Sequence, residues 1–184
     1  MEGAYKNFWS LNIDEAIVSG LLRNNLNKNQ EIFMPLNAQM KDIDLVAMNL
    51  KNKKTITIQV KGSKAYEPKI SEVKRFGEGS NSWFFFLKEN ITRSEADYFI
   101  FLVYVIREST EKGRRIIEPH LITIPTKKLV ELCEKNKKVH GDKRYSFYFW
   151  VKPNEKKAFD WRDTLYDVSD YLDEKGLENL KKEL

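Results

Sequence analysis

The chain of 184 residues is 41% hydrophobic and 12% aromatic, which provides enough apolar material for a folded core and excludes a disordered tail. Its 32 Lys and Arg against 27 Asp and Glu leave a net charge of +5, which suits a polyanionic partner but excludes a histone-like charge density. The single cysteine, Cys133, excludes an intramolecular disulfide and a paired-cysteine zinc site.

The first predicted elements are a helix and a strand. Apolar residues at helical spacing predict a helix over residues 10–26. Asn12, followed three residues later by Glu15, has the spacing of a capping box and favours a helix start near Asn12. The short segment at residues 31–35, apolar at its centre, predicts the first strand.

Two alternating segments come next and predict an antiparallel hairpin. Residues 42–49 and 54–61 both alternate with the two-residue period of a strand, and a polar turn separates them. In the first segment, Asp44 points away from its neighbours Ile43 and Leu45. In the second segment, Gln59 and Lys61 share one face. The opposite face of that segment carries Ile56, Ile58 and Val60.

The remaining elements complete an α/β pattern. Residues 62–82 lack a sustained period and predict a long functional loop with one helical turn around residues 71–75. Strands are predicted at residues 83–87, 98–106, 120–124 and 145–151, and the continuous apolar run of 98–106 favours a central strand buried on both faces. Thr126 is predicted to cap a helix that carries Leu129 and Cys133, and an amphipathic helix is predicted from Asp163 onward.

One group of residues in the predicted hairpin suggests chemistry. Two residues apart on a strand, Gln59 and Lys61 lie on the same face about 6.5–7 Å apart, and Asp44 on the neighbouring strand can face them. A carboxylate and a second oxygen ligand suit Mg²⁺, which polarises a phosphate and helps to deprotonate water. A nearby lysine positions the attacking water and offsets charge in the transition state. This pattern favours hydrolysis of a phosphodiester bond.

These residues resemble the motif of the PD-(D/E)XK nuclease superfamily, which includes many restriction endonucleases. The resemblance rests on Asp44 in Ile43-Asp44-Leu45-Val46 and, after fourteen intervening residues, on Gln59-Val60-Lys61, and it covers roughly residues 10–106. It implies a restriction-endonuclease-like fold, in which a mixed central β-sheet built around this hairpin is flanked by α-helices. It also implies that Glu15, on the preceding helix, joins Asp44 and Gln59 as a metal ligand.

The sequence departs from the family pattern at two positions. Ile43 stands where the family motif has Pro, a change that the family tolerates. Gln59 stands where the family usually has an acid, a variant that some members carry. Because a neutral amide oxygen binds Mg²⁺ more weakly than a carboxylate does, Glu15 would matter more in this chain.

Simpler interpretations of the same residues stay open. Glu15 would serve equally well as the second half of a capping box, and Asp44 as a solvated acid paired with Lys41. Gln59 and Lys61 would also fit an ordinary solvent-facing strand. Five other triplets have an acid or Gln two residues before Lys: Gln39 to Lys41, Glu67 to Lys69, Glu72 to Lys74, Glu155 to Lys157 and Asp173 to Lys175. None of them ends an alternating β-branched strand whose hairpin partner offers an Asp, so context favours Gln59 and Lys61.

The sequence and the resemblance together indicate a Mg²⁺-dependent DNA endonuclease of restriction type. We expect residues 1–184 to form one nuclease domain with a helical C-terminal extension at about 160–184. It would act on double-stranded DNA as a homodimer, or as a small cleavage subunit beside a larger DNA-recognition subunit, as in heterodimeric type IIS restriction endonucleases. Two alternatives are a non-catalytic DNA-binding or partner-binding module that keeps the fold, and an RNA-processing nuclease.

Other features of the sequence carry weaker signals. The lone thiol and the absence of an apolar signal region at the start predict a cytoplasmic protein without membrane association. Trp83 and the following phenylalanines would suit base stacking, although core packing is the more common role for such residues. His120 and His140 lack spaced partners, and we expect structural roles for both.

Overall fold

The structure, a computed structural model, describes residues 13–35, 42–108, 113–141 and 143–184. The helices of these residues are α1 (Ile13–Asn25), α2 (Ile70–Phe76), α3 (Lys88–Thr92), α4 (Thr126–Asn136) and α5 (Asp173–Glu183). The strands are β1 (Gln30–Phe33), β2 (Leu45–Asn49), β3 (Thr55–Gly62), β4 (Ser80–Leu87), β5 (Tyr98–Glu108), β6 (Arg115–Pro125), β7 (Arg144–Lys152), β8 (Lys157–Asp160) and β9 (Tyr166–Asp167). The chain is therefore a mixed α/β protein.

The strands form two sheets. The first has the order β1-β2-β3-β5-β6, and the second has the order β4-β7-β8-β9. All neighbouring strands are antiparallel except β3 and β5, which pair in parallel with Gln59 opposite Phe99 and Lys61 opposite Phe101. A parallel pair requires a long crossover, and here the crossover contains α2, β4 and α3. The first sheet is thus mixed, and β3 lies at its centre.

The alternation of β3 decides which elements cover each face of the first sheet. On one face, Ile56, Ile58 and Val60 are buried together with Val18 and Leu22 of α1. Leucines of α5 belong to the same apolar cluster: Leu177 and Leu180. Since burial of an aliphatic side chain contributes about 1.5–3 kcal/mol, this cluster fixes α1 against the strand that carries Gln59 and Lys61.

The opposite face of the sheet packs on the second sheet through phenylalanines. The ring of Phe101 in β5 lies 5.0 Å from that of Phe149 and 5.6 Å from that of Phe147, both in β7. It lies 5.1 Å from Phe84 in β4. These tilted and edge-on contacts suit aromatic quadrupoles, and they form a packed core between the two sheets. Strand β5 is buried on both faces, as its continuous apolar sequence predicts.

Several predicted elements are confirmed in type and approximate position. The opening helix, the first strand and the antiparallel hairpin of β2 and β3 all form, and Leu45 pairs with Ile58 across the hairpin. The hairpin turn is polar, with Lys53 in the left-handed region at a φ of 64°. The strands predicted around residues 120–124 and 145–151 also form, but β6 and β7 extend beyond both predicted ranges.

The prediction of a loop over residues 62–82 is partly wrong. Helix α2 occupies residues around the expected helical turn, and β4 begins at Ser80 rather than after Ser82. Ser80, Asn81 and Ser82 are polar but buried, because they pair with β7 in the second sheet. Hydrophobic periodicity does not detect a polar strand end of this kind.

Two predicted helix starts are also wrong. Thr126 does not cap α4, because it is the first helical residue and its hydroxyl donates to the carbonyl of Ala96 at 2.5 Å. The C-terminal helix begins at Asp173 and not at Asp163. Two other elements lie between Asp163 and Asp173. They are strand β9, which pairs with β8, and a 3-10 turn, Ser169–Tyr171. The carboxylate of Asp173 accepts from the Leu121 amide at 2.8 Å, which fixes the helix start against β6.

No helix in the described part of the chain is long and apolar enough to cross a lipid bilayer.

The close approach of α1 to β3 yields a test with a matched control. A Cβ atom added at Gly62 would overlap the carboxylate of Asp14 in α1. This carboxylate accepts a hydrogen bond of 3.0 Å from the Tyr104 hydroxyl. We therefore expect Gly62→Ala to lower the free energy of unfolding by about 1–3 kcal/mol. Urea denaturation measures the change.

The matched control is Gly20→Ala on the exposed surface of the same helix. No atom lies within 4 Å of a Cβ added at Gly20. Because Ala favours an exposed helix over Gly by up to about 1 kcal/mol, this variant should be more stable than the parent chain. Equal effects of the two substitutions would show that α1 does not contact β3 at Gly62.

Candidate active site

The candidate site lies at the start of β2 and the end of β3. Asp44 immediately precedes β2, and its amide donates to the carbonyl of Ile58 at 2.9 Å, which continues the ladder of the hairpin. One carboxylate oxygen of Asp44 accepts from the backbone amide of Val60 at 2.7 Å. The same oxygen accepts from the side-chain amide of Gln59. The predicted facing of Asp44 and Gln59 across the hairpin is therefore confirmed.

Gln59 is almost fully enclosed, with 4% of its surface exposed. An amide buried without a partner costs about 1–3 kcal/mol, and the bond from its Nε2 to Asp44 offsets part of that cost. This bond also orients the side chain. With the nitrogen directed at Asp44, the oxygen Oε1 is the atom of Gln59 that is suited to hold a cation.

Lys61 follows on the same face of β3 and is partly buried. Burial lowers the pKa of its ammonium group below the ordinary value. The carboxylates of Asp44, Asp42 and Glu15 act in the opposite direction and favour the charged form, in that order of strength. Lys61 is thus partly shielded from water, and three carboxylates influence its protonation. Such an arrangement is common at functional sites.

Glu15 reaches the site from a different element. It lies in the first turn of α1 and is 4% exposed, and α1 covers the Val60 side of the sheet. Its carboxylate favours the charged form of Lys61, at the end of β3. The alternative capping role depends on Asn12, and the alternative partner of Asp44 is Lys41. Both of these residues lie outside the described part of the chain.

Sequence reasoning missed three residues around the end of β3: Asp42, Asp14 and Tyr104. Asp42 adds a carboxylate that favours the charge of Lys61, and it has a left-handed φ of 62°. Asp14 lies over Gly62 and accepts from the hydroxyl of Tyr104. Burial and this bond raise the pKa of Tyr104 to about 12. Two neighbouring acids in the first helical turn, Asp14 and Glu15, were the signal available in the sequence.

The oxygen atoms at this site suit Mg²⁺ in their chemistry. Asp44, Glu15 and Gln59 offer carboxylate and amide oxygens, which are the ligands that a hard divalent ion prefers. The buried amide of Gln59 and its fixed orientation fit such a role. Among the described residues, no group of three His, Cys, Asp or Glu is arranged to hold a metal ion. Any metal here would therefore depend on Gln59, water or substrate oxygens for its remaining ligands.

The two histidines lie away from this site in acidic contacts. Nδ1 of His120 lies 2.8 Å from Oδ2 of Asp173, at the start of α5. Nε2 of His140 lies 2.9 Å from Oδ1 of Asp163. These contacts join β6 to α5 and the segment before β7 to the segment after β8, which agrees with the structural roles expected from the sequence.

Comparison of the chain with protein-family models, with curated proteins and with solved structures gives no match.

The electrostatics of Lys61 predict a measurable pKa change. Asp44 is the strongest of the groups that favour the charged ammonium. Asp44→Asn removes that charge and keeps the shape, so the pKa of Lys61, already below its ordinary value, should fall further. Nuclear magnetic resonance of the lysine side chains over a pH titration measures it. The control is Asp97→Asn. Asp97 accepts a hydrogen bond from Thr57 near the start of β3, so this substitution should leave the pKa of Lys61 unchanged. An unchanged or raised pKa in Asp44→Asn would contradict the described geometry.

Proposed function

We propose that the protein is a Mg²⁺-dependent endonuclease that hydrolyses phosphodiester bonds of double-stranded DNA, and that it has the restriction-endonuclease-like fold of the PD-(D/E)XK type. The observation that carries the proposal is the contact of Asp44 with buried Gln59, two residues before a partly buried Lys61. A structural strand has no need of a buried amide and a partly buried lysine at this spacing, since apolar residues would pack there at lower cost.

The arrangement of the elements supports the proposal. The hairpin of β2 and β3 is the centre of a mixed sheet, and helices α1 and α5 cover one of its faces. The resemblance to the nuclease superfamily implies a mixed sheet that is built around the motif hairpin and flanked by helices. The structure departs from this expectation on the other face of the sheet, which packs on the second sheet. The α/β class is therefore in agreement with the proposal, and the finer assignment to the nuclease fold is part of it.

The residues of the site have separate roles in the proposed reaction. Asp44, Gln59 and Glu15 would hold Mg²⁺ through their oxygens. When bound, the metal supplies charge that polarises the phosphate and eases deprotonation of water. Backbone and side-chain bonds from Val60 and Gln59 fix the Asp44 carboxylate in advance, so that little reorganisation is needed in the reaction.

Lys61 would contribute through its ammonium group. The three neighbouring carboxylates favour its charged form, in which it donates hydrogen bonds to the attacking water or to a non-bridging phosphate oxygen. The water oxygen forms a bond to phosphorus while the bond to the leaving sugar oxygen breaks. The water releases a proton to solvent and the leaving oxygen takes one up, so the products are a phosphomonoester and a hydroxyl. Stabilisation of the developing phosphoryl charge is the main effect of Lys61.

Restriction-type cleavage is the biological role that we propose for this reaction. A homodimer would cut both strands, one in each subunit. A heterodimer with a larger recognition subunit is the second arrangement, in which this chain cuts one strand and the partner reads the sequence. In either case the protein would work in the cytoplasm, where its DNA substrate is present.

A second candidate function is a non-catalytic module that binds nucleic acid or a protein partner. The observation that favours it is the absence, within the described residues, of any cluster of three His, Cys, Asp or Glu that could hold a metal. In that case the Asp44–Gln59 contact would serve the hairpin alone. The assay below separates the two candidates.

The test of the proposed function is cleavage of supercoiled plasmid by the purified protein in the presence of Mg²⁺ or EDTA. We expect Mg²⁺-dependent cutting, and we expect Asp44→Asn and Lys61→Ala to slow it by about 100-fold or more, because each removes a group that acts on the developing charge. Lys54→Ala is the matched control, since Lys54 is an exposed lysine at the other end of the same hairpin. It should cut at close to the parent rate.

The assay is repeated with proteins encoded beside this chain, because a cleavage subunit would depend on its recognition partner. Discrete fragments would indicate sequence-specific cutting. Loss of cutting in Lys54→Ala as strongly as in Lys61→Ala would contradict the assigned site. Absence of cutting under every condition by protein that unfolds cooperatively in urea would favour the non-catalytic module.

A further inference from the structure

An exposed aromatic surface lies on the second sheet, away from the candidate site. Alternation along β4 directs Phe84 into the core and leaves Trp83 and Phe85 outside, with 41% and 50% of their surfaces exposed. Their rings are nearly parallel, at an angle of 14° and a centroid distance of 5.5 Å. We call the surface formed by Trp83, Phe85 and the neighbouring ring of Tyr148 the aromatic strip. Large exposed rings side by side are unusual outside interaction surfaces.

The strip is held in place by hydrogen bonds and ring contacts. The indole nitrogen of Trp83 donates to the hydroxyl of Ser146 at 3.0 Å. Tyr148, directly opposite Trp83 on β7, meets it edge-on at 5.6 Å. The Tyr148 hydroxyl donates to Glu72 of α2 at 2.6 Å, which ties α2 to the sheet. The rings are thus fixed before any partner arrives, and binding would not have to order them.

Guanidinium groups accompany the rings. The guanidinium carbon of Arg162 lies 5.4 Å from the centre of the Trp83 ring, and that of Arg75 lies 5.0 Å from the ring of Phe76. Together with Trp83, Tyr148 and Phe76, these arginines line a cleft of about 320 Å³. Glu72 also lines the cleft, but its carboxylate already accepts from Tyr148. The cleft therefore combines flat apolar faces with cationic groups.

The chain links this cleft to the candidate active site. Lys61 is the last of the candidate site residues on β3. Helix α2 begins nine residues later, at Ile70, and forms one wall of the cleft. The intervening segment is attached at two points. The Ser80 hydroxyl donates to the carbonyl of Tyr66 at 3.0 Å, and Arg115 forms an ion pair of 2.9 Å with Glu67. The end of β3 and the helix that forms one wall of the cleft are therefore close in sequence, and the segment between them is fixed to the rest of the fold.

We propose that the aromatic strip binds an unpaired base of the DNA strand, with Trp83 and Phe85 as the stacking surface and Arg162 and Arg75 as contacts for the backbone phosphates. This inference rests on the proposed function, because it gives that function a means of holding a separated strand of its DNA substrate. Aromatic faces flanked by cations are the combination that single-stranded nucleic acids require, since every base has a flat face and every linkage a negative charge.

The charge of the cleft favours DNA over a protein partner. A purely apolar strip would suit another protein surface, but here Arg162 lies against Trp83 and Arg75 lies against Phe76 in the same cleft. Such a pair favours an anionic ligand and disfavours a dry apolar one, because burial of unpaired guanidinium groups is costly. A second copy of this chain would bring the same positive groups face to face.

The test is binding of a fluorescein-labelled single-stranded DNA oligonucleotide in EDTA, followed by fluorescence anisotropy. We expect Trp83→Ala and Phe85→Ala each to weaken binding by roughly 5- to 150-fold, the range expected for loss of one base stack. Trp83→Phe keeps an aromatic face and should retain most of the affinity. Arg162→Gln should weaken binding and reduce its dependence on salt.

The control variant is Ile117→Ala, which removes an exposed apolar side chain, 56% exposed, from β6. It should bind the oligonucleotide as the parent chain does. Parent-like binding by both Trp83→Ala and Phe85→Ala would overturn the inference. So would a change from dimer to monomer in these variants, seen by sedimentation, without a change in DNA affinity, because the strip would then cover a second copy of the chain.

The experiment separates this inference from the proposed function. Binding is measured in EDTA, which removes the divalent ions that the proposed cleavage needs, so loss of binding in the strip variants supports the stacking surface even if the plasmid assay shows no cutting. Conversely, plasmid cutting that depends on Asp44 and Lys61, combined with strip variants that bind normally, would leave the nuclease standing and refute the stacking surface.

Discussion

The position of β3 between β2 and β5 is the constraint on which the rest of the structure depends. Pairing on both sides fixes its register, and a shift of one residue would exchange its two faces. The helix-covered face needs Ile58 and Val60 inside. Gln59 and Lys61 are therefore held on the other face, where Asp44 meets them. The same packing that stabilises the sheet thus positions the candidate site.

The polar groups of the site lower the stability of the protein, and packing elsewhere in the fold compensates for this loss. Burial disfavours the charge of Lys61, and Gln59 and Glu15 are almost fully enclosed. Each such group stabilises the protein less than an apolar residue of similar size would. Buried polar groups kept at that cost commonly serve function, and the packed phenylalanine core between the two sheets supplies the stability that such a site draws upon.

The sequence predicted the parts of the protein in which periodicity and burial agree. The hairpin and the facing of Asp44 and Gln59 follow from alternation, and the central strand β5 follows from a continuous apolar run. In the second sheet, β4 and β7 were predicted, but the polar start of β4 at Ser80 was missed. Strands β8 and β9 were missed as well, because they are short and the sequence from Asp163 onward resembles a helix. Asp14 and Asp42 join the end of β3 only through tertiary approach, which no local pattern encodes.

The central claim is that Asp44 belongs to a divalent-metal site for phosphodiester cleavage. The most direct measurement is the anomalous difference map of crystals grown with a DNA duplex and Mn²⁺, which substitutes for Mg²⁺ and scatters anomalously. We expect a peak within about 2.0–2.3 Å of an Asp44 carboxylate oxygen, next to Gln59. A map with no peak at Asp44, or with Mn²⁺ bound only elsewhere, while DNA lies on the protein, would contradict it.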